Sequence, residues 1–180
     1  MNKKRISTKV IALVILGLSV MGIAITRISV VNATFPSEEI KKVAYKEYAE
    51  WNNIEMAVSD VSWMPYEISI DDDCFAAYIV YVTFVIRNTS GDEQQVDLTP
   101  LCIETDGYCN GIDLEMFVTQ KSENDSLVFT LERNSSKTCM LPFVVSELLW
   151  KKNDWRRIRE KDFHIVYYNY PNEIKWEIMQ

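Results

Sequence analysis

Hydrophobic and polar positions fall into three regimes along the chain. From Val10 to Ile25 sixteen residues, VIALVILGLSVMGIAI, run without a charge. Ahead of them stand Lys3, Lys4, Arg5 and Lys9 with no acid, and Val31-Asn32-Ala33 follows with acceptable residues at the −3 and −1 positions of a signal-peptidase site. Basic, apolar and cleavable segments in that order predict a secretory signal. The same residues also read as an uncleaved anchor. Sixteen helical residues reach about 24 Å against a hydrocarbon core of about 30 Å, and extension to Val31 supplies the missing length. That extension brings Arg27 near the far interface, where its side chain can snorkel. Residues 1–33 are therefore expected to be a signal peptide or membrane anchor. The rest is expected outside the cell, secreted or tethered to the outer face of the cytoplasmic membrane by residues 10–31. No Cys precedes Cys74, so a bacterial lipoprotein anchor has no acceptor.

Residues 37–51 place Ile40, Val43, Ala44, Tyr48 and Trp51 on one face at helical spacing. Ser37 can cap such a helix, and Glu38 and Glu39 complement the positive end of its dipole. This predicts a short amphipathic helical arm or linker over 34–54, ended by Asn52-Asn53. From Ile54 the period becomes two. Val80, Val82, Phe84 and Ile86 share one face of YIVYVTFVIR, and residues 88–92 read as a turn. Val96 and Leu98 continue the alternation. Pro100 marks the point where its phase shifts to Leu101 and Ile103. Further inward rows are Leu127, Phe129 and Leu131, then Cys139, Leu141, Phe143 and Val145. A last hairpin joins 163–168 to 173–178, with Ile174, Trp176 and Ile178 on one face. Seven or eight short strands at this spacing predict a mainly β fold, an antiparallel two-sheet sandwich over 55–180.

Composition narrows the function more than the fold. With 48% hydrophobic and 25% charged residues, five Gly and five Pro, the chain is neither disordered nor fibrous. Its 19 basic and 26 acidic residues give −7, and without residues 1–33 the balance is 14 against 26. An acidic surface argues against a nucleic-acid partner. The one histidine, His164, leaves little for histidine catalysis or a multi-histidine metal site. No GxSxG, Walker A, GxGxxG or HExxH pattern occurs. No cofactor is implied, and the chain reads as a non-catalytic protein. Cys74, Cys102, Cys109 and Cys139 all fall in the exported part, an even number that suits disulfides. Cys102 and Cys109 flank Glu104-Thr105-Asp106-Gly107, a hairpin turn that would set them opposite each other, and elimination then pairs Cys74 with Cys139. Four free thiols and a zinc site are the other readings, the latter without a CxxC pair.

The run YIVYVTFVIRNTSGDEQQVDLTPLCIETDGY resembles secreted domain-of-unknown-function proteins of clostridia and related Gram-positive bacteria. The features that carry the resemblance are a strand ending in Ile86-Arg87-Asn88-Thr89-Ser90, then Val96-Asp97-Leu98, then a strand ending at Asp106-Gly107. Met140-Leu141-Pro142-Phe143-Val144-Val145 resembles their penultimate strand. The resemblance covers about residues 55–145 and implies an immunoglobulin-like fold in an extracellular binding or scaffold module. It supplies no active-site residues, and residues 146–161 depart from the pattern.

That departing stretch holds the densest charge. Residues 151–161, KKNDWRRIREK, carry six cations and two acids, while the rest of the exported part carries 8 cations and 24 acids. Lys151, Lys152, Arg156, Arg157 and Arg159, with Trp155 among them and Trp150 beside them, suit an anionic envelope polymer, a membrane surface or an acidic partner protein. The opposing reading is a short capped helix whose cations are balanced by the domain's own acids and whose Trp150, Trp155 and Ile158 face the core. Asp71, Asp72 and Asp73 are a weak calcium candidate without EF-hand spacing. Tyr167, Tyr168 and Tyr170 suggest an aromatic face for sugars or for assembly.

Overall fold

The computed structural model describes residues 8–35, 38–120 and 126–178. They divide into two compact units, with the boundary between Glu39 and Ile40. The predicted cap Ser37 and the basic residues Lys3, Lys4 and Arg5 lie outside the described residues.

The first unit is one apolar helix, α1 (Thr8–Thr34). It runs without a break past Arg27 and through Val31-Asn32-Ala33. Residues Leu13–Thr34 are long and apolar enough to cross a membrane, at about 33 Å for 22 residues. Three of its hydroxyls bond back to the helix: Ser19 donates to the Ile15 carbonyl at 2.9 Å, Thr26 to Gly22 at 2.8 Å and Thr34 to Val30 at 2.8 Å.

The second unit is an antiparallel β-sandwich, as the alternating rows predict. In chain order its strands are β1 (Glu39–Val43), β2 (Ala49–Trp51), β3 (Ile54–Ile70), β4 (Asp73–Asn88), β5 (Gln94–Asp97), β6 (Leu101–Thr105) and β7 (Tyr108–Gly111). After α2 (Leu114–Gln120) come β8 (Val128–Leu131) and β9 (Ser136–Ser146), then α3 (Lys152–Trp155), β10 (His164–Asn169) and β11 (Asn172–Glu177). One sheet has the order β1-β11-β10-β6-β7, the other β2-β3-β4-β9, and β5 pairs with β8. The phase shift at Pro100 lies between β5 and β6, which belong to different sheets. Inward rows from both large sheets share one core. Phe84 of β4 meets Trp176 of β11 edge-on, with ring centroids 6.0 Å apart.

The helical arm is not formed. Residues 39–51 supply β1 and β2, joined by a turn in which Lys46 adopts φ 68°. Asn52 and Asn53 both take positive φ, 46° and 64°. Two consecutive left-handed residues make the tight turn that returns β2 onto β3, with Trp51 opposite Ile54. Ladder bonds to sheet edges, together with burial of Val43 and Ala49, outweigh a helical pattern that leaves Ile40 exposed.

The β3–β4 hairpin is the longest element and keeps its register from Ile54↔Asn88 to Ile70↔Asp73, apart from a bulge between Val58 and Asp60. Ser59, the extra residue, donates to the Thr83 carbonyl at 3.0 Å and accepts from Tyr45 Oη through its own carbonyl at 3.3 Å. β9 pairs with β4 only as far as Ala77↔Ser146. Beyond that pair residues 67–70 and 73–76 continue as a two-stranded ribbon with Ile70 exposed at 47%, while Met64 and Tyr66, exposed at 50% and 41%, stand at its base opposite Ile79 and Ala77. Asp71, at φ 52°, helps turn its tip.

The turn after β4 is held by one buried side chain. Asn88 Nδ2 donates to the carbonyls of Asp92 (2.7 Å), Leu131 (3.0 Å) and Glu132 (3.0 Å), while Oδ1 accepts from the Ser90 amide at 2.9 Å. Asn88→Ala strands buried carbonyls and is expected to cost about 3 kcal/mol, read as a lower unfolding midpoint of the full chain in detergent with an unchanged denaturant slope. A cost below about 1 kcal/mol contradicts this role.

Candidate functional site

The chain leaves β9 at Ser146, whose hydroxyl accepts the Leu148 amide at 3.3 Å and opens a 3₁₀ turn over Glu147–Leu149. Glu147 then accepts the Ala76 amide on Oε1 at 2.7 Å, which satisfies an edge donor of the ribbon where β9 has departed. From there residues 150–161 fold onto the base of the ribbon through their aromatic and aliphatic side chains. Trp150 packs on Tyr108 and Phe163 at 5.1 and 6.5 Å, Ile158 enters the core, and Trp155 lies against Tyr78 at 5.7 Å.

With the apolar members anchored inward, the cations are left outward. Arg159 places its guanidinium 5.0 Å from the Trp63 ring and 5.6 Å from Tyr78. Arg157 forms an exposed ion pair with Glu160 at 2.7 Å, an arrangement of little net energy. Lys151, Lys152 and Arg156 are exposed and, among the described residues, have no carboxylate partner. α3 carries the segment from Lys152 to Trp155, so Lys152 and Arg156 border Trp155 directly. Pro65, Tyr66, Glu67, Ala77, Tyr78 and Trp155 line an open groove of about 620 Å³ between the ribbon and α3. The groove thus joins apolar and aromatic surface to flanking cations, with Glu67 as one carboxylate on its wall. Its openness suits an extended chain better than a small molecule that must be enclosed.

The structure separates the two expectations for this segment. Trp150, Trp155 and Ile158 are packed as the internal reading requires, whereas Lys151, Lys152 and Arg156 meet no carboxylate among the described residues. Sequence reasoning missed Tyr66 and Tyr78. Tyr78 begins the aromatic strand already noted, but nothing local shows that β3 and β4 outrun β9.

A second polar cluster occupies the outer face of the five-stranded sheet. Glu104 accepts Lys175 Nζ at 2.6 Å and Tyr168 Oη at 2.5 Å, and His164 stands directly opposite it in register. Burial pushes the Glu104 carboxyl up, but the hydrogen bonds from Lys175 and Tyr168, with the charges of Lys175 and His164, outweigh it and hold the group below its ordinary range. Burial, then the Lys175 charge, holds His164 below its ordinary value. Tyr168 is pushed up by burial and by Glu104. The cluster pairs its acid with Lys175 and gives each carboxylate oxygen of Glu104 a donor, as a structural network does. No single stretch of sequence shows it, because its members come from β6, β10 and β11.

The remaining expectations divide. The Cys102 and Cys109 sulfurs are 3.1 Å apart. Their residues are diagonal rather than opposite, since Cys102 faces Gly111 and Cys109 faces Glu104. The pairing of Cys74 with Cys139 is ruled out. Cys139 stands opposite Phe84, ten residues along β4 from Cys74, a separation of about 33 Å where a disulfide tolerates about 7 Å. Asp71, Asp72 and Asp73 sit at the ribbon tip, and no group of three or more His, Cys, Asp or Glu among the described residues is placed to hold a metal. Tyr167 is buried against Trp51 at 6.3 Å while Tyr168 and Tyr170 are exposed, so the three do not form one aromatic face.

The strands, sheet order and shared core define an antiparallel β-sandwich domain. The chain belongs to the family described as Domain of unknown function (DUF5028), whose model matches residues 36–174. No curated protein matches it. Among solved structures it is similar to an uncharacterized β-sandwich protein from Clostridium difficile 630, at 13% identity and TM-score 0.46 over 79% of this chain and 97% of that one. It is also similar to a functionally unknown protein from Listeria monocytogenes EGD-e (12%, TM-score 0.48, 68% and 69% covered). The yjhA protein from Bacillus subtilis is another (12%, TM-score 0.44, 74% and 98% covered).

The Glu104 cluster sets a pH response. Both Glu104 and His164 have folded values below their unfolded ones, so each contributes stability that is present at neutral pH and lost on acidification. His164 acts as pH falls below about 6.5 and Glu104 as it falls below about 4.5. Unfolding midpoints measured from pH 7 to pH 2 should fall in these two stages, and His164→Gln should flatten the first. An unchanged first stage in that variant contradicts the assignment.

Proposed function

We propose that the protein is a non-catalytic binding module held on the outer face of the cytoplasmic membrane of a Gram-positive cell, where the groove between ribbon and α3 takes an anionic envelope polymer. The observation that carries this reading is the set of exposed cations, Lys151, Lys152 and Arg156, which have no carboxylate partner among the described residues and stand near the aromatic groove of an otherwise acidic domain. Cations attract a phosphate-bearing chain while Tyr66, Tyr78 and Trp155 cover its apolar backbone. The basic N-terminal residues ahead of α1 support retention of the helix as an anchor with the domain outside.

The test is binding of poly(glycerol phosphate) to the full chain in detergent micelles. Replacing Lys151, Lys152 and Arg156 together by Gln should weaken binding at least about tenfold at low salt and remove most of its salt dependence. Trp155→Ala should weaken it at every salt concentration. Equal affinity in all three proteins sinks the proposal.

A second reading, assembly through a sheet edge, is favoured by the ribbon, whose β4 edge has no strand partner beyond Ala77 among the described residues and which exposes Ile70, with Met64 and Tyr66 exposed at its base. Sedimentation of the micelle-bound chain, with and without Ile70→Lys, discriminates it: a concentration-independent monomer in both removes it.

A further inference from the structure

We propose that Cys102 and Cys109 form a redox site in which exposed Cys109 receives the incoming disulfide and buried Cys102 resolves it into a cross-link between β6 and β7. The inference is independent of the groove. It rests first on geometry. The two sulfurs are 3.1 Å apart on neighbouring strands of a hairpin closed by Asp106-Gly107, with Gly107 at φ 72° in the turn. Neither has another cysteine within reach. Cys74 is at the ribbon tip, and Cys139 is five residues along β9 from Val144, about 16 Å from the point where β7 touches that strand.

It rests second on asymmetry. Cys102 is 6% exposed and faces Val166 of β10, beneath the Glu104 cluster, whereas Cys109 is open to solvent. An entering disulfide can reach only Cys109. Burial, followed by the contact with Cys109 and the charges of Cys109, Glu104 and Glu173, keeps the Cys102 thiol protonated well above its ordinary range. Contributions from Cys109 disappear once that sulfur is tied into a mixed disulfide, so Cys102 becomes easier to ionise at the step that needs it.

The oxidant is a low-molecular-weight or protein disulfide, RSSR. Cys109 thiolate attacks one of its sulfurs, the R–S–S–R bond breaks, and RS⁻ leaves with the Cys109 proton to become RSH. Cys102 then attacks the Cys109 sulfur, the mixed disulfide breaks, and a second RS⁻ leaves and takes the Cys102 proton. Two protein thiols are oxidised and one RSSR is reduced to two RSH.

The bond would fix an edge strand that joins the two sheets. Tyr108 Oη and Asn110 Nδ2 both donate to the Val144 carbonyl of β9, at 2.7 and 2.8 Å. Burial pushes the Tyr108 phenol up to about 12, so it remains a donor across the neutral range. Closing this eight-residue hairpin should raise the melting temperature by about 5 °C.

The test treats the full chain in detergent with oxidised glutathione, followed by alkylation and peptide mapping. Expected are two alkylatable thiols of the four, at Cys74 and Cys139, and a loss of about two mass units on the peptide holding Cys102 and Cys109. Cys102→Ser should accumulate the glutathione adduct on Cys109. In Cys109→Ser, Cys102 should stay unmodified until denaturant is added. Four alkylatable thiols after treatment, or equally fast adducts in the two variants, overturn the proposal. If a variant does not fold, limiting glutathione on the unsubstituted chain still decides it: the transient adduct must map to Cys109, and a transient adduct on Cys102 overturns the order.

Discussion

Everything in the domain hangs on the stretch of β4 from Val80 to Ile86, which is paired along both edges and turns four apolar side chains inward. Val80, Val82, Phe84 and Ile86 lie between β3 and β9 and are completely buried. Phe84 presses edge-on against Trp176 of the opposite sheet. A strand buried in this way cannot shift by one residue without turning its four large side chains to solvent, so the register of both neighbours follows from it. Each such side chain is worth about 1.5–3 kcal/mol of burial, enough to impose strand geometry on segments of weaker preference such as residues 39–51.

The candidate site is a by-product of that fixed register. Because β3 and β4 are longer than the stretch β9 can cover, the ribbon projects past the sandwich and its base offers an uncovered flank. The chain leaving β9 fills part of the flank with Trp150, Trp155 and Ile158 and must therefore turn its lysines and arginines outward. Glu147 closes the remaining edge donor at Ala76. The groove needs no separate element to hold it open. Its shape is set by where the strand pairing stops, and its charge by which side chains of residues 150–161 the core accepts.

Much of this was legible in the sequence because period-two burial is a local property. The rows at 80–86, 139–145 and 174–178 point inward as their spacing implies, and the apolar N-terminal run forms the helix it predicts. Residues 37–51 misled because their apolar positions fit a helix, while the deciding signal, two left-handed asparagines, lies just beyond them. The basic segment was visible by its charge, yet which of its side chains are anchored depends largely on partners remote in sequence, such as Tyr108 for Trp150 and Tyr78 for Trp155. Glu104, Lys175 and Tyr168 were silent for the same reason: three ordinary residues become a network only through the β6–β10–β11 register. Cysteine proximity was half legible, since a hairpin turn brings Cys102 to Cys109 but elimination says nothing about the distance between Cys74 and Cys139.

The central claim is that one surface, the groove of ribbon and α3, carries the binding function. Amide hydrogen exchange of the micelle-bound full chain, with and without poly(glycerol phosphate), tests it most directly. The account predicts slowed exchange confined to residues 64–67, 76–79 and 150–159, with the rest of the sandwich unaltered. Protection elsewhere with none at these three stretches, or no protection at a concentration where the polymer is bound, would contradict it.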